Sequence, residues 1–107
     1  MALMLAASIE NVAKPGKLLK VKGAGKTFVL ANVAGALYCL DGICMKDGCV
    51  LAEGKLEGHL LTCSWHGTQF DVRTGAVLRS APHQYGIVVN LGFHQVVVKD
   101  GEVFIDI

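Results

Sequence analysis

Runs rich in Val, Leu, Ile and Phe alternate along this chain with turn signals, at roughly the 8–12-residue spacing of β-sandwiches and barrels. The pattern predicts strands at 3–7, 17–22, 27–33, 36–40, 59–62, 69–72, 76–79, 85–91, 94–99 and 102–107. Turns are expected at Pro15-Gly16, Gly23-Ala24-Gly25, Ala34-Gly35, Arg73-Thr74-Gly75 and Lys99-Asp100-Gly101. The last is an Asp-Gly hairpin signal between Val96-Val97-Val98 and Val103-Phe104-Ile105. Ser8 before Ile9-Glu10-Asn11-Val12 is suited to cap one helical turn. The fold class read from the pattern is all-β, and the absence of a linker, repeat or low-complexity stretch predicts one domain over residues 1–107.

Composition agrees with a self-sufficient core. Of the 107 residues, 52% are apolar and 18% charged, so no disulfide staples are needed. A net charge of +1 argues against an electrostatic nucleic-acid binder. No apolar run approaches the roughly 18 residues of a membrane helix. Met1 to Ser8 is apolar but lacks a basic leader, and reads as a first strand rather than a signal peptide. A cytoplasmic location is expected, where cysteines stay reduced and serve as ligands, nucleophiles or core.

Gly25-Lys26-Thr27 ends like a phosphate-binding loop. That motif needs a glycine where Lys20 stands and a helix where Phe28-Val29-Leu30 reads as strand. A basic hairpin turn is the better reading.

The chemistry concentrates in two segments, Cys44-Met45-Lys46 and Cys63-Ser64-Trp65-His66, with sixteen residues between them. Each lies between predicted strands and is followed by a glycine, Gly48 or Gly67. Thiolates such as Cys44 and Cys63 suit ferric iron and bridging sulfide. A neutral imidazole such as His66 suits the iron that accepts an electron, because it adds no negative charge. Lys46 completes the foursome with an ammonium group that has no lone pair to give. Deprotonating a lysine of ordinary pKa at neutral pH costs about 4–5 kcal/mol.

The stretch from Leu51 to Gly75, with Asp41-Gly42-Ile43-Cys44 before it and Ala81-Pro82 after it, closely resembles the Rieske-type [2Fe–2S] ferredoxins. That family's pattern is Cys-x-His, a spacer of similar length, then Cys-x-x-His. Here the first half reads Cys44-x-Lys46 and the second Cys63-x-x-His66. Val96 to Ile107 resembles the closing hairpin, so the likeness spans essentially the whole chain. It implies an antiparallel β-sandwich base, residues 1–41 and 76–107, carrying a small cluster-binding subdomain of two loops at about 42–75. It also implies that Cys44 and Cys63 hold the buried iron of a [2Fe–2S] cluster and His66 the outer one. Lys46 then stands where the family has its other histidine, with Asp47, Cys49 or water as substitute ligands.

Cys49 has a second reading. High-potential members of the family place a cysteine there and pair it with one in the second loop, but Trp65 occupies the partner position. A small apolar role then remains for Cys49. The same proteins hydrogen-bond the cluster through a serine and a tyrosine, at positions that hold Thr68 and Phe70 here. Phe70 cannot donate, which implies a potential near the low end of the Rieske range, around −150 mV. Cys39 reads as core, Trp65 as a lid on its loop or a docking aromatic, and His59, His83 and His94 as core or surface histidines.

The resemblance implies a soluble electron carrier between a flavin reductase and a terminal oxygenase, not catalytic by itself; the chain has no room for an oxygenase's catalytic domain. Two alternatives stand beside it. One is a cluster-free structural subunit like the small subunit of assimilatory nitrite reductase, which Lys46 favours. The other is a zinc site of Cys44, Cys49, Cys63 and His66, whose spacing is unlike ordinary zinc knuckles. A Cys–His nucleophilic enzyme is disfavoured, since Cys63 and His66 share one loop with no orienting third group.

Overall fold

The computed structural model describes residues 3–43, 50–64, 67–79 and 90–107. Within these, two single 3-10 turns, Ile9–Asn11 and Leu51–Glu53, accompany strands β1 (Leu3–Ser8), β2 (Leu18–Gly23), β3 (Lys26–Val33), β4 (Ala36–Asp41), β5 (Lys55–Glu57), β6 (Leu60–Thr62), β7 (Gln69–Asp71), β8 (Val77–Arg79), β9 (Phe93–His94), β10 (Val96–Lys99) and β11 (Glu102–Asp106). They form three antiparallel sheets, ordered β1-β11-β10, β2-β3-β4-β9 and β5-β6-β7-β8.

The unbroken apolar run Phe28-Val29-Leu30-Ala31 in β3 explains the layering. Successive strand side chains point to opposite faces, so a strand apolar at every position has both faces to bury. Phe28 and Leu30 join Val12, Val21, Cys39, Val103 and Ile105 in one core, against the β1-β11-β10 sheet. Val29 and Ala31 join Leu40, Leu51, Leu61, Cys63, Phe70, Val72 and Leu91 in a second, against the β5-β6-β7-β8 sheet. The β2-β3-β4-β9 sheet is therefore the shared middle layer. Each large side chain buried in these cores contributes about 1.5–3 kcal/mol.

Three hairpins turn on two residues, both at positive φ: Ala24-Gly25, Ala34-Gly35 and Asp100-Gly101. Their twist matches that of the flanking strands. This places the expected turns where the sequence puts them, and fixes the register of β2 through β4.

Local departures from the predicted elements have physical causes. β5 is unpredicted because Lys55-Leu56-Glu57 offers one apolar residue, and its strand character comes from pairing with β6. The expected strand 94–99 is two strands broken at Gln95. His94 pairs with Cys39 of β4, whereas Val96 pairs with Ile105 of β11, so the chain changes sheets between them. The 3-10 turn after Ser8 forms, but the Ser8 side chain makes no capping hydrogen bond. Of the expected strand 85–91, residues 85–89 lie outside the described residues, and Asn90 and Leu91 are not in a strand.

Candidate metal centre

The first motif grows out of β4 through a narrow neck. Gly42 N–H donates to Thr27 O at 2.9 Å, and Leu51 N–H donates to Gly42 O at 2.8 Å. Ile43 and Val50 form an isolated antiparallel bridge, which closes the segment 44–49 at its root. Glycine is required at 42 by space: a Cβ there would lie 2.7 Å from the Phe28 carbonyl carbon. Cys44, Lys46, Asp47 and Cys49 fall inside this closed segment and outside the described residues.

The neck is anchored by Asp41. Its N–H donates to Gly92 O at 2.9 Å, and its Oδ2 accepts from Gly92 N–H at 3.0 Å. Its Oδ1 lies 2.8 Å from His94 Nε2, and His94 Nδ1 lies 3.1 Å from Asp106 O. The ring also stands edge-on to Phe28, with centroids 4.9 Å apart. His94, read from the sequence as a core or surface histidine, thus ties β4, β9 and β11 together at the root of the loop. The sequence marks Asp41 only as the entry to the first motif, and no local spacing could reveal a partner 53 residues away.

The second motif caps the β6–β7 hairpin just beyond the Thr62–Gln69 pair. Cys63 N–H donates to Thr68 O at 2.8 Å, and Gly67 N–H donates to Cys63 O at 3.1 Å. Gly67, at φ +76°, supplies the left-handed residue that this tight closure needs. Cys63 is 1% exposed, is not in a disulfide, and packs in the same core as Leu51, Leu61 and Phe70. Thr68 beside it is fully buried. His66 and Trp65 lie outside the described residues.

Cys39 is core, as expected, with its thiol pushed up to about 12 by burial and by the nearby Asp41 charge, so it supplies no thiolate. His59 is exposed and edge-on to Tyr38, and His83 lies outside the described residues. Phe70 is fully buried in the core. At the far end of β7, Arg73 bonds Asp71 twice, at 2.9 and 3.1 Å, and holds its carboxyl below the usual range.

A buried thiol at the head of a closed hairpin loop is a soft donor screened from water, which suits iron–sulfur chemistry. Cys44 and His66, the other two donors of that kind in the motifs, lie outside the described residues. The ammonium of Lys46 is not a donor of that kind. Among the described residues no three His, Cys, Asp or Glu side chains gather into a metal-holding group.

An antiparallel β-scaffold with a buried cysteine at the head of one hairpin, and a second cysteine-bearing segment that leaves and rejoins it at a bridged neck, has the build of a Rieske-type iron–sulfur protein. Comparison with known proteins agrees. The model of the Rieske [2Fe-2S] domain matches residues 2–91. The chain is 34% identical over 95 residues to the ferredoxin component of the p-cumate 2,3-dioxygenase system of Pseudomonas putida, covering 86% of this chain and 75% of that one. It is 33% identical over 92 residues to the ferredoxin component of the naphthalene 1,2-dioxygenase system of the same organism, covering 86% and 84%. Among solved structures, a chain from the complex of reduced oxygenase and oxidized ferredoxin in carbazole 1,9a-dioxygenase superposes with a TM-score of 0.82 at 29% identity, covering 96% of this chain and 91% of that one. The chain belongs to the Rieske [2Fe–2S] domain family, and the cofactor that membership implies is a [2Fe–2S] cluster.

Proposed function

We propose that this protein is a small Rieske-type ferredoxin that carries single electrons between a flavin reductase and a terminal oxygenase. The observation that carries the reading is the buried Cys63 thiol at the head of the loop that closes the Cys-x-x-His motif. Relatives that are ferredoxin components of dioxygenase systems support the oxygenase side of the pair.

In this reading Cys44 and Cys63 hold one iron and His66 holds the other, at the tip of a cluster-binding subdomain of about residues 42–75. Lys46 occupies the fourth ligand position, and Cys49, Asp47 or a water supplies the missing donor. When bound, the cluster supplies a one-electron couple whose potential follows ligand charge and hydrogen bonding. The chain's part is to seat Cys63 away from water, to hold the first loop at its Ile43–Val50 neck, and to keep Phe70, which has no hydroxyl, where a donor would raise the potential. The protein has no catalytic step of its own and works in the cytoplasm. Among the described residues no helix is long and apolar enough to cross a membrane.

Lys46 also favours a second reading, a cluster-free structural subunit in which Cys63 is only a core thiol. A reductive titration of the purified protein, followed by its visible spectrum, separates the two. The carrier takes up one electron per chain reversibly. Absence of any reducible chromophore overturns the carrier and leaves the scaffold, or a zinc-holding variant.

A further inference from the structure

Charge in this chain is segregated. Between Glu10 and Asp41 there are five lysines, Lys14, Lys17, Lys20, Lys22 and Lys26, and no carboxylate. From Asp41 onward there are eight carboxylates against five basic residues. The net charge of +1 therefore conceals a strongly basic region and an acidic remainder.

The fold gathers these lysines on one border. β2 is an edge strand of the middle sheet, and β3 follows it directly. All five side chains are exposed. Lys20 and Lys22 flank the buried Val21 and so share the face opposite to it, the side of the core that holds Leu51 rather than the one that holds Val21. Lys26 opens β3 opposite Gly23. The next residue, Thr27, accepts the Gly42 N–H at the neck of the first motif loop. One open cleft is lined by Lys22, Gly23, Gly25, Lys26 and Thr27, and another by Lys26, Thr27, Asp41 and Ile43. The lysine row thus runs along the sheet edge and ends at the root of the loop that carries Cys44.

Among the described residues none of the five lysines has a carboxylate within ion-pair distance, whereas Lys55 and Arg73 are paired with Glu57 and Asp71. Edge lysines also guard a strand against pairing with another chain. Lys20 and Lys22, inside β2, serve that end. This row extends past both ends of β2, and although Asp41 and Glu53 lie near it, none of its lysines is ion-paired among the described residues.

We propose that the Lys17–Lys26 border of β2 and β3 is the docking surface for an acidic redox protein, held beside the first motif loop. This rests on the carrier reading of the chain. A row of unpaired cations on one side of a nearly neutral protein orients an acidic partner during approach, and places it next to the neck rather than at random. Net charge alone does not favour a nucleic acid, and the row's position by the motif loop favours a protein that exchanges electrons.

The test is a binding titration of the full-length 15N-labelled protein with purified flavodoxin, a small acidic flavoprotein, at low ionic strength. Basic cytochrome c serves as the control probe. Flavodoxin should shift amides of Lys17–Lys26 and the Gly42–Ile43 neck, and cytochrome c should leave the Lys17–Lys26 amides in place. Affinity for flavodoxin should fall about tenfold or more in Lys20→Glu/Lys22→Glu/Lys26→Glu. It should stay within about twofold in Lys55→Glu/Arg79→Glu/Lys99→Glu, which changes net charge equally. The milder Lys20→Gln/Lys22→Gln/Lys26→Gln set gives the same direction should the reversed set misfold. Equal losses in the two charge-matched sets, shifts confined to another face, or no binding each overturn the proposal. Binding does not require electron transfer, so iron analysis of the same samples reports separately on the carrier reading.

Discussion

His94 Nε2 lies 2.8 Å from Asp41 Oδ1, joining the end of β4 to β9 at the point where the chain departs into the first motif loop. The other ring nitrogen meets the Asp106 carbonyl at 3.1 Å. The ring stands between a carboxylate and a carbonyl, and its contacts join three segments. His94→Ala leaves the carboxylate and the carbonyl without it and should cost about 1–3 kcal/mol. A denaturant midpoint at neutral pH measures the loss, and bound iron per chain should fall with it because the neck loses its anchor. An unchanged midpoint would show that the contact adds nothing.

Gly42 gives a sharper test of the neck. A methyl group there meets the Phe28 backbone at 2.7 Å, whereas Gly25, at φ +74° in the β2–β3 turn, has open space around it. Gly42→Ala should therefore destabilise by about 2–3 kcal/mol, and Gly25→Ala by about 1 kcal/mol, from backbone strain alone. Thermal or denaturant unfolding of the two variants side by side checks the order. The reverse order would mean that the neck yields more easily than the packing implies.

The pair of Asp71 with Arg73 predicts a pH dependence. Hydrogen bonds from the Arg73 side chain, and then from its backbone N–H, hold the Asp71 carboxyl below its usual range, with the guanidinium charge adding to them. A carboxyl lower in the folded than in the unfolded chain stabilises the fold above the unfolded value, about 3.9, and that contribution is lost as pH falls through the lowered folded value. Arg73→Gln should thus be less stable than the parent at pH 6–7, by a small margin because Arg73 is exposed. The gap should close in acid. A gap that is constant with pH would assign the effect to packing.

Lys46 carries the most direct prediction about ligands. Lys46→His restores an imidazole where the family has one, so iron and sulfide per chain should rise, and the protein should keep its cluster longer in air. Parallel elemental analysis of parent and variant decides it. No rise would mean that the fourth position is already filled by another donor.

The sequence is most legible where local chemistry decides the structure. The apolar run at Phe28 to Ala31 marks the doubly buried strand, and Ala24-Gly25, Ala34-Gly35 and Asp100-Gly101 mark hairpins because positive φ favours glycine next to a small or Asx residue. Cys63 and its loop are legible from spacing, and so are the candidate ligands Cys44 and His66. What escapes is set by distant partners. β5 is a strand only because β6 lies beside it, Gln95 breaks a strand because two sheets compete for its neighbours, and His94 serves the first loop through a residue on another strand. The lysine row is visible as a run of cations, but only the sheet order shows that it borders the neck.

The central claim is that this chain holds a two-iron cluster despite Lys46. The measurement that tests it most directly is iron, sulfide and zinc analysis of anaerobically purified protein, with its visible spectrum. The account predicts a red-brown protein with about two irons and two sulfides per chain. A colourless protein with neither iron nor sulfide, or one holding zinc alone, would contradict it.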